Sequence, residues 1–286
     1  MTAVWITGAV VGLLVALLIV RARLRGRRRA ALLAKPLTEE QEAVIEKNVP
    51  LYRRLPGELK EQLQGLVQVF LDEKRFEGCG GLEMTDEIRL TVAAQACMLL
   101  LNRRTRYFRK LKTILVYPQT YVARQVAPVG GGAYIEGHSA RLGESWRSGP
   151  VVLAWNSVTG GTSIVTDGQN VVLHEFAHQL DQEDGVADGA PILERRSRYA
   201  AWARVLSEEY EVLRGKRRRR RRSVLSKYGA TNPAEFFAVA TESFFEKPRQ
   251  MKKRHPDLYE ELRLYYRLDP AEWTEGEGPR ERGAIS

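Results

Sequence analysis

The chain has 286 residues, 44% of them hydrophobic, which is enough apolar material for one substantial core and excludes a chain disordered over most of its length. The net charge of +10 sits in two tracts, six arginines in Arg21 to Arg29 and seven basic residues in Lys216 to Arg222; removing these thirteen from 45 leaves 32 basic against 35 acidic residues, a net of −3. The body is therefore not basic, which argues against direct nucleic-acid binding, and Cys79 and Cys97 alone make neither a disulfide framework nor a paired metal site.

Ala3 to Val20 carries no charge, and about eighteen helical residues nearly suffice to cross a bilayer. Residues 1–22 are accordingly expected to form one transmembrane anchor. The arginines that follow place the N-terminus outside and the rest of the chain in the cytoplasm. A cleaved signal would need a positive region before the apolar run and a small-residue site after it, and neither is present. Residues 23–36 read as a basic juxtamembrane linker, 37–273 as the folded domain, and 274–286 as a disordered tail.

Thr38-Glu39-Glu40-Gln41 has the capping-box pattern that opens a helix. An amphipathic stretch from Leu59 to Leu71 follows Pro56-Gly57, and a helix from Asp86 to Leu101 is capped by Thr85. Its second half is almost wholly apolar and too short for a membrane span, so it is expected in the core. From Thr113 the pattern is β-rich: Thr113 to Tyr117, Ala133 to Glu136 and Val151 to Trp155 are expected to form a small sheet. Asp167 or Asn170 then caps a helix that ends near Asp181, and a turn-rich loop runs from Asp184 to Pro191. Helical patterns follow at 194–213, 233–245 and 257–268, with Lys216 to Arg222 as a solvated loop whose best partner would be anionic lipid. The fold class is α+β, mainly helical with a small sheet.

His174-Glu175-Phe176-Ala177-His178 lies on the helix capped by Asp167 or Asn170, where positions four apart share a face. Both imidazoles can then reach one metal ion while Glu175 projects toward a bound water, the chemistry of a zinc hydrolase. A catalytic zinc keeps one position for water, so a third protein ligand comes from elsewhere. His138 and His255 have the context of surface histidines. Glu235 and Glu242 lie seven residues apart on one apolar helix, where carboxylates usually need a partner. Asn232-Pro233-Ala234-Glu235 also fits a helix start with a capping glutamate, which would leave Glu242 as the ligand; the spacing leaves both assignments open. Asp181 and Glu242 are alternative acceptors for fixing a histidine tautomer.

The segment Tyr228 to Ala238, taken with His174 to Asp181, resembles the Mlc titration factor A family of zinc peptidases and, more distantly, the catalytic domains of lethal-factor-type toxin proteases. The likeness extends through Phe76 to Leu82, Val92 to Asn102, Gly149 to Trp155 and Asp184 to Leu193. It implies a zincin-like metallopeptidase domain with one zinc held by His174, His178 and Glu235. Glu175 would be the general base and Tyr228 a hydroxyl beside the metal. Aminopeptidase and endopeptidase action both fit, with Val151 to Trp155 as a docking strand for an extended substrate. The family name also implies an alternative role, a membrane-anchored regulator that sequesters a transcription repressor with little catalysis.

Overall fold

The computed structural model describes residues 2–103, 107–119, 121–129, 133–141, 143–145, 149–163 and 170–273, leaving aside the side chains of 2–11, 121–145 and 161–163. Its N-terminal half contains helices α1 (Thr2–Leu33), α2 (Glu39–Asn48), α3 (Pro50–Arg54) and α4 (Gly57–Glu73), then strand β1 (Arg75–Gly78), α5 (Asp86–Met98) and β2 (Thr113–Tyr117). Next come β3 (Tyr121–Val129), β4 (Ala133–Arg141), β5 (Gly143–Ser145), β6 (Val151–Ala154) and α6 (Trp155–Ser163). The C-terminal half is helical: α7 (Val171–Asp181), α8 (Tyr199–Arg218), α9 (Pro233–Glu246), α10 (Pro248–Arg254) and α11 (Pro256–Tyr266).

Capping chemistry sets several of these boundaries. Thr38 and Gln41 form the expected capping box at α2, Thr85 accepts from the Ile88 N–H at α5, and Asn170 accepts from the Leu173 N–H at α7. Proline at the first position opens α3, α9, α10 and α11, where its missing N–H costs nothing. The alternative cap Asp167 and the expected tail 274–286 lie outside the described residues.

The N-terminal expectations need correction. Among the described residues no helix is long and apolar enough to cross a membrane, so the expected transmembrane helix is not supported; the side chains of 1–11, half of that span, are outside the description. The stretch expected as a linker, 23–36, is helical to Leu33 and packs against α4. Arginine, alanine and leucine are strong helix formers, and carboxylates of α4 offset the charge of the basic turns. Arg29 makes a two-pronged pair with Glu73 (2.6 and 2.8 Å), and Arg28 pairs with Asp72.

Two sheets are present among the described residues. β1, β2 and β6 run parallel, β5 pairs antiparallel with β6, and β3 pairs with β4 in a separate hairpin. The strand expected at 133–136 is thus part of that hairpin. β6 is hydrogen-bonded on both sides, so its backbone cannot add a substrate strand; the free edge beside it belongs to β5, which packs on α7.

α5 is a core helix, as its composition implies, with every residue from Leu90 to Met98 buried. Rings join the helical layers. Phe176 of α7 meets Phe70 of α4 at 5.6 Å and Phe108 edge-on at 4.9 Å, while Trp202 (α8), Phe237 (α9) and Tyr265 (α11) cluster at 5.4 to 5.9 Å. Phe176 lies about 200° around α7 from both His174 and His178. One face of α7 is therefore fixed in the core and the other faces α9.

Candidate metal centre

α7 and α9 cross so that the histidines of one helix face the carboxylates of the other. His174 Nε2 lies 3.0 Å from Glu235 Oε2 and 3.2 Å from His178 Nε2, and His178 Nε2 lies 3.5 Å from the same Glu235 oxygen. One ligating atom from each of the three residues falls within 4.8 Å of the others, a group able to hold a metal ion. Glu235 reaches the histidines because its capping role is confined to its backbone: the Glu235 N–H donates to Asn232 Oδ1 at 2.9 Å, and the side chain turns away from the cap.

Glu242, two turns along the same face of α9, is occupied differently. Its Oε1 accepts from His174 Nδ1–H at 2.7 Å and its Oε2 from the Asn170 N–H at 2.8 Å. A proton held on Nδ1 leaves the Nε2 lone pair of His174 directed at His178 and Glu235. Two imidazole nitrogens and a carboxylate oxygen then converge, acceptor against acceptor, an arrangement that only a proton or a cation relieves.

The electrostatics carry the same signature. Burial opposes protonation of His174, but its hydrogen bonds to the Glu235 and Glu242 carboxylates outweigh it and hold its pKa well above the usual value. For Glu235 the signs reverse: burial would raise the pKa, but the two histidines together pull it down to about 2. Burial drives the Glu175 carboxyl up to about 8, with Glu235 and Glu242 adding to the shift and His174 opposing it. Glu175 is 4% exposed, and its Oε2 is buried without a hydrogen-bond partner among the described residues. Such a group beside a candidate metal site is suited to hold or move a proton.

Tyr228 lies in the single turn Lys227–Ala230, 56% exposed, with its ring 5.9 Å from that of His174. Burial of part of the ring, together with Glu235 and Glu175, raises its phenol pKa, so the hydroxyl stays a donor.

Asp181 does not touch a histidine ring. Its Oδ2 accepts from the Gly189 N–H at 3.0 Å, and burial raises its pKa to about 6. Gly189 has φ +80, and a Cβ there would come within 2.5 Å of the Pro233 carbonyl oxygen. Trp202 Nε1 donates to the Gly189 carbonyl at 3.0 Å. Asp181 thus ties the end of α7 to a loop that abuts the first turn of α9, two residues before Glu235. Only the paired glycines at 185 and 189 hinted at this buttress in the sequence.

The remaining candidates fall elsewhere. His255 is 3% exposed rather than superficial, and its Nδ1 bonds Glu209 at 2.7 Å. The side chain of His138 lies outside the described residues. The basic run begins inside α8, which continues to Arg218, so its first three members are helical rather than looped.

Residues 23–267 match the Glucose-regulated metallo-peptidase M90 family. An uncharacterized protein of Synechocystis sp. is 41% identical over 244 residues, covering 85% of this chain and 89% of that protein. Mlc titration factor A of Pectobacterium atrosepticum is 30% identical over 231 residues (78% and 84% of the two chains). The Yersinia pestis protein of the same name is 28% identical over 245 residues (83% and 87%). The chain belongs to the Glucose-regulated metallo-peptidase M90 family, the family to which its motifs point.

Proposed function

We propose that this family member is a zinc-dependent peptidase in which His174, His178 and Glu235 hold the ion, Glu175 is the general base and Tyr228 a hydrogen-bond donor to the reacting carbonyl. The observation that carries the reading is the convergence of His174 Nε2, His178 Nε2 and Glu235 Oε2, three groups that only a shared proton or a cation reconciles, beside the unpartnered Oε2 of Glu175. Two imidazoles and a carboxylate are a donor set that suits zinc and leaves a position open.

When bound, the ion supplies a Lewis acid that lowers the pKa of water and polarises the peptide carbonyl. The chain's own residues do the rest. Glu175 takes the proton from the attacking water and delivers it to the amide nitrogen as the C–N bond breaks, so each product leaves with its atoms in balance. Tyr228 donates its phenolic proton in a hydrogen bond to the carbonyl oxygen as charge builds there. Glu242 keeps His174 in the tautomer that presents Nε2.

The test uses the full chain. It is expected to retain a single zinc ion and to cleave unstructured peptides, with cleavage abolished by a chelator and restored by equimolar zinc. Metal-free protein that cleaves at an undiminished rate would overturn the reading. Tyr228→Phe removes only the hydroxyl of a half-exposed side chain, so stability should be unchanged. Steady-state kinetics should show kcat lower by about a hundredfold at similar KM; an unchanged kcat would remove Tyr228 from the reaction.

The name carried by the Pectobacterium and Yersinia relatives supports a second reading, capture of a transcription repressor without cleavage. Capture that survives chelation and leaves the partner intact would favour it over peptidase action.

A further inference from the structure

Among the described residues, α1 carries a run of exposed large apolar side chains before its basic turns. Leu13, Leu14, Val15, Leu17, Leu18, Ile19 and Val20 are 47% to 70% exposed. At 100° per residue these positions point in every direction around the axis, so no single stripe is singled out. A partner helix would cover one stripe and leave the rest in water. Only a medium that surrounds the helix covers all of it. The eight residues from Leu13 to Val20 rise about 12 Å, comparable with one hydrocarbon leaflet of about 15 Å, and the charge-free sequence continues back to Ala3.

The basic half that follows divides its charges. Arg28 and Arg29 turn onto Asp72 and Glu73, and Arg29 also lies 4.3 Å over the Tyr107 ring. Arg21, Arg23 and Arg27 are exposed, and none has an ion-pair partner among the described residues. The end of the helix is seated without play. At Gly65 of α4 a Cβ would fall 2.3 Å from the Leu33 carbonyl oxygen, so the two backbones meet where only glycine fits. No break separates the apolar turns from this seat, because α1 is continuous from Thr2 to Leu33.

We propose that α1 is a rigid strut that seats the domain on an anionic lipid bilayer, its apolar turns in the acyl chains and Arg21, Arg23 and Arg27 among the lipid phosphates. The strut holds the metal-site domain at a fixed height, where a flexible linker would let it wander. The inference is independent of whether the site cleaves peptides.

Flotation of the full chain with vesicles tests it. The protein should rise with phosphatidylglycerol-containing vesicles. Binding should fall about fivefold for each arginine lost, and so about a hundredfold in Arg21→Gln/Arg23→Gln/Arg27→Gln. Leu14→Asp/Leu18→Asp, a change of exposed side chains, should abolish flotation with a folded domain by circular dichroism. Failure of the parent chain to float overturns the proposal, and so does a dimer in lipid-free light scattering that Leu14→Asp/Leu18→Asp disperses while vesicles are ignored. For the seat, Asp72→Lys/Glu73→Lys should leave flotation intact and expose the peptide bonds after Arg27, Arg28 and Arg29 to trypsin. Equal cleavage of the vesicle-bound parent would show a flexible tether in place of a strut.

Discussion

Glu175→Gln is expected to remove peptide cleavage while leaving zinc in place. Glutamine keeps the volume and one acceptor oxygen but cannot take a proton, so the loss isolates general-base chemistry, an effect of about a hundredfold to ten-thousandfold on kcat. Zinc content should hold because Glu175 contributes no atom to the group of His174, His178 and Glu235. Stability should hold or rise slightly. Burial of Glu175, with Glu235 and Glu242 nearby, pushes its pKa up to about 8 in the metal-free protein, so its charged form is disfavoured by the fold. The sign follows from linkage. A carboxyl whose folded pKa lies above its unfolded one costs stability as pH rises from the unfolded value through about 8, and the neutral amide escapes that cost. Metal analysis, peptide turnover and urea unfolding of the metal-free protein at pH 5 and pH 8 would measure all three. A variant that turns over peptides at the parental rate would rule out Glu175 as the base. A variant that loses its zinc would mean that the carboxylate helps bind the ion.

How much of this site could be read from the sequence differs from residue to residue. His174, Glu175 and His178 announce themselves because helical periodicity alone puts them together, and Asn170 marks where that helix begins. Glu235 and Glu242 are harder. Each is acidic, each lies on the inner face of α9, and Asn-Pro-x-Glu suits a cap as well as a ligand. Which carboxylate meets Nε2 and which meets Nδ1 is fixed by how α7 and α9 cross, a tertiary quantity that no local pattern encodes. Asp181 shows the same limit. Its spacing from His178 suggested a tautomer partner, whereas the loop return at Gly189 claims its carboxylate. In the fold, long periodic helices and capping boxes were legible. The four-residue strand β1 was too short to show alternation, and the basic stretch to Leu33 looked like a linker because the carboxylates that neutralise it lie more than forty residues away.

Glu242 is where a small change should have the widest effect, because its two oxygens serve different masters. Oε1 accepts from His174 Nδ1–H and fixes the tautomer of that imidazole; Oε2 accepts from the Asn170 N–H and holds the residue that caps α7. In Glu242→Gln one of these contacts becomes donor against donor as long as His174 keeps its proton on Nδ1, since an amide offers a single acceptor oxygen. If the amide oxygen stays with Asn170, His174 loses its anchor, and zinc affinity should fall by about tenfold to a hundredfold. If the oxygen stays with His174, the buried Asn170 N–H goes unpaired, at a cost of about 1 to 3 kcal/mol in stability. Glu242→Ala abandons both and should show both losses. Chelator competition gives the affinity and urea unfolding of the metal-free protein gives the stability, so the two routes separate on one pair of variants. Retention of parental zinc affinity and stability in both would show that neither hydrogen bond matters to the site. Complete loss of zinc in Glu242→Gln, alongside parental binding in Glu235→Gln, would exchange the two carboxylates and make Glu242 the ligand.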